Sequence, residues 1–201
     1  MDLFTKLQKY TDFSEGKSQE VCEIIYQDTF FENIIFTGYD LNNTNFLEVS
    51  FNNCDFTNVY LSGASLSGSS FDNCIFTDNI FRKGVADYTH FRKTNFTNID
   101  IFRTSFYEAK FENLNITDSM IKNCHIGRAS FSNVSFIRTD LSKSNFSHST
   151  FNNVKFIDCR LEETRFQAVT GIEKIDFSNI SIMVNGNLKT GIGNEIKSYI
   201  I

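Results

Sequence analysis

The 201-residue chain has no proline and no tryptophan, so its aromatic content rests on 23 phenylalanines and seven tyrosines. No stretch approaches 18 consecutive apolar residues, which excludes a membrane-spanning helix. The start, MDLFTKLQKYTDF, lacks a basic segment followed by an apolar run, so a secretory signal is not expected and a cytoplasmic location is. Lysine and arginine are missing from residues 18–81, which hold nine acids. Residues 82–168 hold nine acids and 13 bases, so the net charge of −5 is unevenly spread. Five cysteines is an odd number, and with a reducing compartment expected they are read as free thiols.

What the chain does have is a period. From Phe31 to Phe166 every fifth residue, 28 positions in all, is large and apolar except Ala86. Five matches neither the 3.6 of a helix nor the 2.0 of a strand, so the pattern is an internal repeat. The residue two before each large one also repeats and is small, as at Thr44, Val49, Cys54, Val59, Ala64, Ser69 and Cys74. One large and one small inward residue, separated by polar ones, describe a coil wound around a narrow core.

Sorting the large positions by 20 separates four walls. The first is Phe31, Phe51, Phe71, Phe91, Phe111, Phe131 and Phe151, a phenylalanine stack. The second, from Phe36, is aromatic except at Ile116; the third, from Leu41, is aliphatic except at Phe81; the fourth, from Phe46, is mixed. Segregation at a period of 20 indicates four faces per turn, each five residues long.

The small-x-large-x-x pattern resembles that of the pentapeptide-repeat family over residues 29–168. The resemblance implies an all-β fold, a right-handed quadrilateral β-helix. Those 140 residues make about seven regular turns, roughly 34 Å of rod at one strand spacing per turn. Residues 1–28 are expected to form an N-terminal cap, with helical spacing in LFTKLQKY and again in SQEVCEIIY. Residues 169–201 are expected to add one more coil and a capping or dimerisation segment. After Phe166 the register slips by one, so that Phe177 and Ile182 resume the series. Asn185-Gly186 is a turn signal, and EIKSYII suggests a short helix whose Ile196, Tyr199 and Ile200 contact either Ile137 and Ile157 or a second subunit. Family members often dimerise through this end, which makes a homodimer an expectation of the resemblance.

Outward positions form columns as well. Asparagine recurs at 33, 53, 73, 113, 133 and 153, broken by Lys93, and threonine at 37, 57, 77, 97 and 117; both are read as structural ladders. Around RKGVADYTH (82–90) the repeat is irregular, and Phe81 is expected to fill volume left by Ala86.

No catalytic grouping, metal-ligand spacing or phosphate-binding glycine loop is evident, and no cofactor is expected. His90, His125 and His148 occupy outward repeat positions. The expected function is a non-enzymatic protein-interaction scaffold whose partner the sequence does not name. Its candidate acidic surface is Glu32, Asp40, Glu48, Asp55, Asp72 and Asp78. The alternative that the resemblance offers is a DNA mimic that binds a type II topoisomerase (gyrase), as quinolone-resistance members do. Only the N-terminal third has the acidic surface such a mimic needs. Direct nucleic-acid binding through Arg82, Lys83, Arg92, Lys93 and Arg103 is the weaker reading, since no aromatic-basic groove pattern accompanies them.

Overall fold

A chain that returns to the same wall every 20 residues pairs each strand with the one 20 residues later, in parallel. The computed structural model, which describes residues 2–184 and 187–193 with Glu195 and Ser198, keeps this register from Ile25 to Thr170. The first wall pairs Phe31, Phe51, Phe71, Phe91, Phe111, Phe131 and Phe151 in sequence. The second pairs Phe76 with Phe96 and Phe136 with Phe156, and the third pairs Phe81 with Ile101 and Ile121. The result is a four-sided β-solenoid of about eight turns.

The rings explain the excess of phenylalanine. Along a wall they stack nearly parallel, with centroids 4.8 Å apart for Phe51–Phe71 and 4.6 Å for Phe56–Phe76. Between walls they meet edge to face, as at Phe51–Phe56, 5.3 Å apart at 76°. Both are favoured aromatic geometries, worth ~1 kcal/mol per pair beyond the ~2–3 kcal/mol of burying each ring.

Each turn also carries four tight corners, two residues after each large position. Nearly every one adopts the left-handed conformation, φ between 49° and 63° at non-glycine residues from Asn33 to Ala168. Asparagine suits it, and stacked amides form the expected ladder: Asn53 Nδ2 donates to Asn33 Oδ1 at 2.6 Å and Asn153 Nδ2 to Asn133 Oδ1 at 2.8 Å. Yet Lys83, Arg103, Arg128 and Tyr88 adopt it too. The coil imposes the corner and the residue accepts the strain.

The small inward positions stitch successive turns. Ser69 Oγ accepts from Val49 N at 2.9 Å and donates to Phe46 O at 2.9 Å, 20 and 23 residues back. Ser144 and Ser149 repeat this to the turn above them. The thiols of Cys54, Cys74, Cys124 and Cys159 point at the equivalent carbonyls, and all are free.

At the N-terminus a helix spans Leu3–Ser14, capped by Asp2, whose Oδ1 accepts from Thr5 N at 3.0 Å. Leu7 is fully buried, Tyr10 Oη donates to Asn42 O, and Thr11 Oγ1 accepts from Asp40 N at 3.0 Å. These contacts lay the helix over the open first coil. The second helix expected in SQEVCEIIY does not form. Ile25–Gln27 is instead a strand paired with Asn45–Leu47, and the Tyr26 ring stacks on Phe46 at 5.9 Å. Ile24 is buried in the small inward position, so the solenoid begins one face earlier than the sequence reading placed it. Val21, Ile24 and Ile25 have helical spacing while Ile24 and Tyr26 have that of a strand, and the waiting edge of Asn45–Leu47 decides for the strand.

At the other end the slip is real. Gly171 at φ 81° and a 3-10 turn at Ile172–Lys174 insert one residue, and Phe156 pairs with Phe177. Their rings still stack at 5.3 Å. Ile180–Val184 follows the coil, Ser181 bridging Arg160, but its outer edge is covered by the antiparallel strand Asn187–Gly191. The second expected pentapeptide of this segment thus becomes half of a hairpin, which closes the exposed edge. The Asn185-Gly186 turn and the C-terminal contacts at Ile196, Tyr199 and Ile200 lie outside the described residues. No helix among the described residues is long and apolar enough to cross a membrane.

Candidate functional site

Because the interior is packed, chemistry belongs to the outer faces. Two interior voids flank the irregular turn, each about 20 Å³, enough for one small molecule the size of water. One is lined by apolar side chains alone, and Asn79 is the polar residue of the other. Asn79 Nδ2 donates to Val59 O at 3.0 Å, while its Oδ1 is buried with no partner. Among the described residues no three His, Cys, Asp or Glu side chains converge to hold a metal ion. Cys124 is buried and His125 exposed, on opposite sides of their strand.

Burial sets the thiols. It pushes Cys124 up to about 12 and Cys159 to about 11. In the stacked pair Cys54 and Cys74, the interaction between the two sulfurs lowers Cys54 and raises Cys74.

The six acidic candidates do not share a face. Glu32 and Asp72 lie on the first wall, Asp55 on the second and Asp78 at the corner after it, Asp40 on the third, and Glu48 at the corner after the fourth, so they ring the first turns. Several are occupied. Arg92 binds Asp72, Asp78 accepts from Asn98 Nδ2 at 2.5 Å, and Asp55 and Asp40 accept from the backbone of Thr57 and Asn42 at 2.8 Å. Glu32 accepts only a long bond from Asn52 Nδ2 at 3.4 Å, and Glu48 remains the most available.

The basic group around the irregular turn also divides. Arg92 and Lys93 belong to the first wall and its corner, whereas Arg82, Lys83 and Arg103 belong to the third, on the opposite side. Arg82 is bound to Asp100 and Arg92 to Asp72. The five therefore do not form one patch, because neighbours in sequence are a quarter-turn or more apart in space.

A different group assembles on the fourth wall, where sequence reading set its histidines aside. Tyr107 stacks on His125 with centroids 5.5 Å apart at 6°, and the Arg128 guanidinium stands 5.9 Å from the Tyr107 ring. His125 and Arg165 share one column through Asn145, and Arg128 and His148 are adjacent at the corner. Sorting the outward positions by 20, as the inward ones were, makes this grouping visible.

Models of pentapeptide repeats match residues 31–85 and residues 129–167. No functionally curated protein matches the sequence. Among solved structures, the chain is similar to trypsin-treated QnrB1, described as a plasmid-mediated fluoroquinolone resistance protein. The identity is 15%, covering 89% of this chain and 95% of that one, with a TM-score of 0.48. It is also similar to HetL, a pentapeptide repeat protein involved in heterocyst differentiation regulation from Nostoc sp. strain PCC 7120. There the identity is 13%, covering 94% of this chain and 100% of that one, with a TM-score of 0.33. A third is Rfr23 from Cyanothece 51142, at 13% identity over 82% of this chain and 99% of that one, TM-score 0.25. With its five-residue register, its 20-residue turn and two matched stretches of the repeat, the chain belongs to the pentapeptide-repeat protein family.

Proposed function

We propose that this rod is a non-enzymatic protein-interaction scaffold. The observation that carries the reading is the registered outer surface: side chains 20 residues apart are held in columns by an unbroken parallel ladder. The two interior voids beside the irregular turn are about 20 Å³ each. Such a surface is organised before binding, so little side-chain and loop ordering opposes association. The test is affinity capture with the full chain beside a variant reversed in charge at Glu32, Glu48, Asp72 and Asp78. Partners that the wild type retains and the variant loses support the reading. Turnover of a substrate with no retained partner ends it.

A narrower reading is a DNA mimic acting on a type II topoisomerase. The acid-only span 18–81 favours it, and the engagement of Asp72, Asp55 and Asp40 by neighbouring groups counts against it. Gyrase supercoiling assays with and without a quinolone decide: neither inhibition nor protection by the added protein disposes of the mimic.

A further inference from the structure

Three shallow depressions on the outer faces differ in charge. The one on the first wall carries its own carboxylates: Asp72 binds Arg92, and Glu112 lies 3.2 Å from His90 Nε2. The one at the corner between the third and fourth walls pairs Lys143 with Glu163 at 3.5 Å. The third, about 260 Å³ on the fourth wall, is lined by His125, Arg128, His148 and Arg165 and by no carboxylate.

Its shape follows from Gly127. The same column carries side chains at Tyr107, Ser147 and Gln167, and only glycine leaves a recess between Tyr107 and Ser147. The His125 imidazole leans over that recess, with Cε1 3.2 Å from where a Cβ on Gly127 would lie. Tyr107 holds the imidazole by stacking and attracts Arg128 to its ring, so both are positioned before any ligand arrives. Arg165 has no carboxylate partner among the described residues, and Arg128 forms a loose ion pair with Glu108, 3.9 Å away and beyond hydrogen-bonding distance. Glu108 offsets part of the Arg128 charge, so the match rests on donors: two guanidiniums and two imidazoles line the recess, and the three terminal oxygens of a phosphate group can accept from several of them at once. Glu108 and Glu163 bound the patch, which leaves no basic track long enough for a duplex backbone.

We propose that this depression binds a phosphate monoester group, carried either by a small molecule or by a phosphorylated side chain of a protein. The site does not depend on the acidic N-terminal turns, so it stands or falls apart from the scaffold reading.

The chain has three histidines, and His90 on the first wall serves as an internal reference. Imidazole proton resonances of the full-length protein are followed while phenyl phosphate is added. A phosphoserine peptide and its unphosphorylated twin are titrated in parallel. Saturable shifts at His125 and His148, with His90 unmoved, are expected. Arg128→Ala combined with Arg165→Ala weakens binding at least about tenfold, and so does Gly127→Gln, which fills the recess with the side chain this column already carries at Gln167. Lys155→Ala, an exposed cation on the second wall, leaves it unchanged. Equal affinity for phenyl phosphate and the phosphopeptide assigns a small-molecule ligand, and about tenfold tighter binding of the phosphopeptide over its twin and over phenyl phosphate assigns a protein one. The proposal is overturned by the absence of saturable shifts or by equal shifts at His90. Undiminished binding in the folded variants overturns it too, as does a response to duplex DNA without one to phenyl phosphate.

Discussion

The Phe81 ring occupies the space that a side chain at Gly84 would fill: a Cβ there would lie 1.9 Å from Phe81 Cε2. The ring also meets Phe106 edge-on at 6.1 Å, in the column where Ala86 replaces a large residue. The one aromatic in an aliphatic wall thus compensates for two small residues on the next. Gly84→Ala is expected to destabilise the rod by ~1–3 kcal/mol in urea unfolding, and adding Phe81→Leu should restore most of the loss. A neutral Gly84→Ala would show that the ring does not hold this place.

Lys93 is the break in the asparagine ladder and sits at φ 52°. Lys93→Asn would place an amide between Asn73 and Asn113 and ease the corner. A gain of ~0.5–1.5 kcal/mol is expected, read as a higher melting temperature. No gain would mean that the ladders on either side contribute little to stability.

Asn79 occupies a small inward site with its Oδ1 buried and unpartnered. At Thr94 and Thr104 the hydroxyl in the same repeat position serves both an N–H and a carbonyl of the preceding turn. Asn79→Thr should therefore raise stability by ~1 kcal/mol in equilibrium unfolding. A loss of that size would point to a role for the amide that the hydroxyl cannot fill.

Burial raises Cys124 to about 12 and Cys159 to about 11, above the ordinary thiol value of ~8.5 in the unfolded chain. The unfolded state then releases protons first as pH rises. The stability these groups contribute is complete below pH ~8.5 and is lost on the way to pH 11–12. Tyr10 and Tyr26, also raised by burial, act in the same direction at higher pH. Unfolding free energy should fall from pH 9 upwards, and Cys124→Ser should lessen the slope. A slope unchanged by that substitution would place the effect elsewhere.

Much of this fold is legible in the chain because the coil repeats its demands. Each wall needs a large residue every 20, so Phe31 to Phe151 give the register, and even the insertion before Phe177 appears as a shift of one. The start was less legible, since Val21, Ile24 and Ile25 fit a helix as well as Ile24 and Tyr26 fit a strand until the partner edge at Asn45–Leu47 is present. The outer faces are hardest to read along the chain. Asp72 and Asp55 are close in sequence but on different walls, whereas His125 and Arg165 are 40 residues apart and share a column. The stitching hydroxyls of Ser69 and Ser144 likewise read as small residues until the turn above them is in place.

Binding of a protein partner by the outer faces is the function proposed for this rod. Its most direct test is quantitative affinity capture with the full chain beside four variants, each altered in the outward residues of one wall while the core stays intact. The account predicts a retained partner that is lost when one wall is altered and kept by the other three. No retained partner, or equal retention by all four variants, would contradict it.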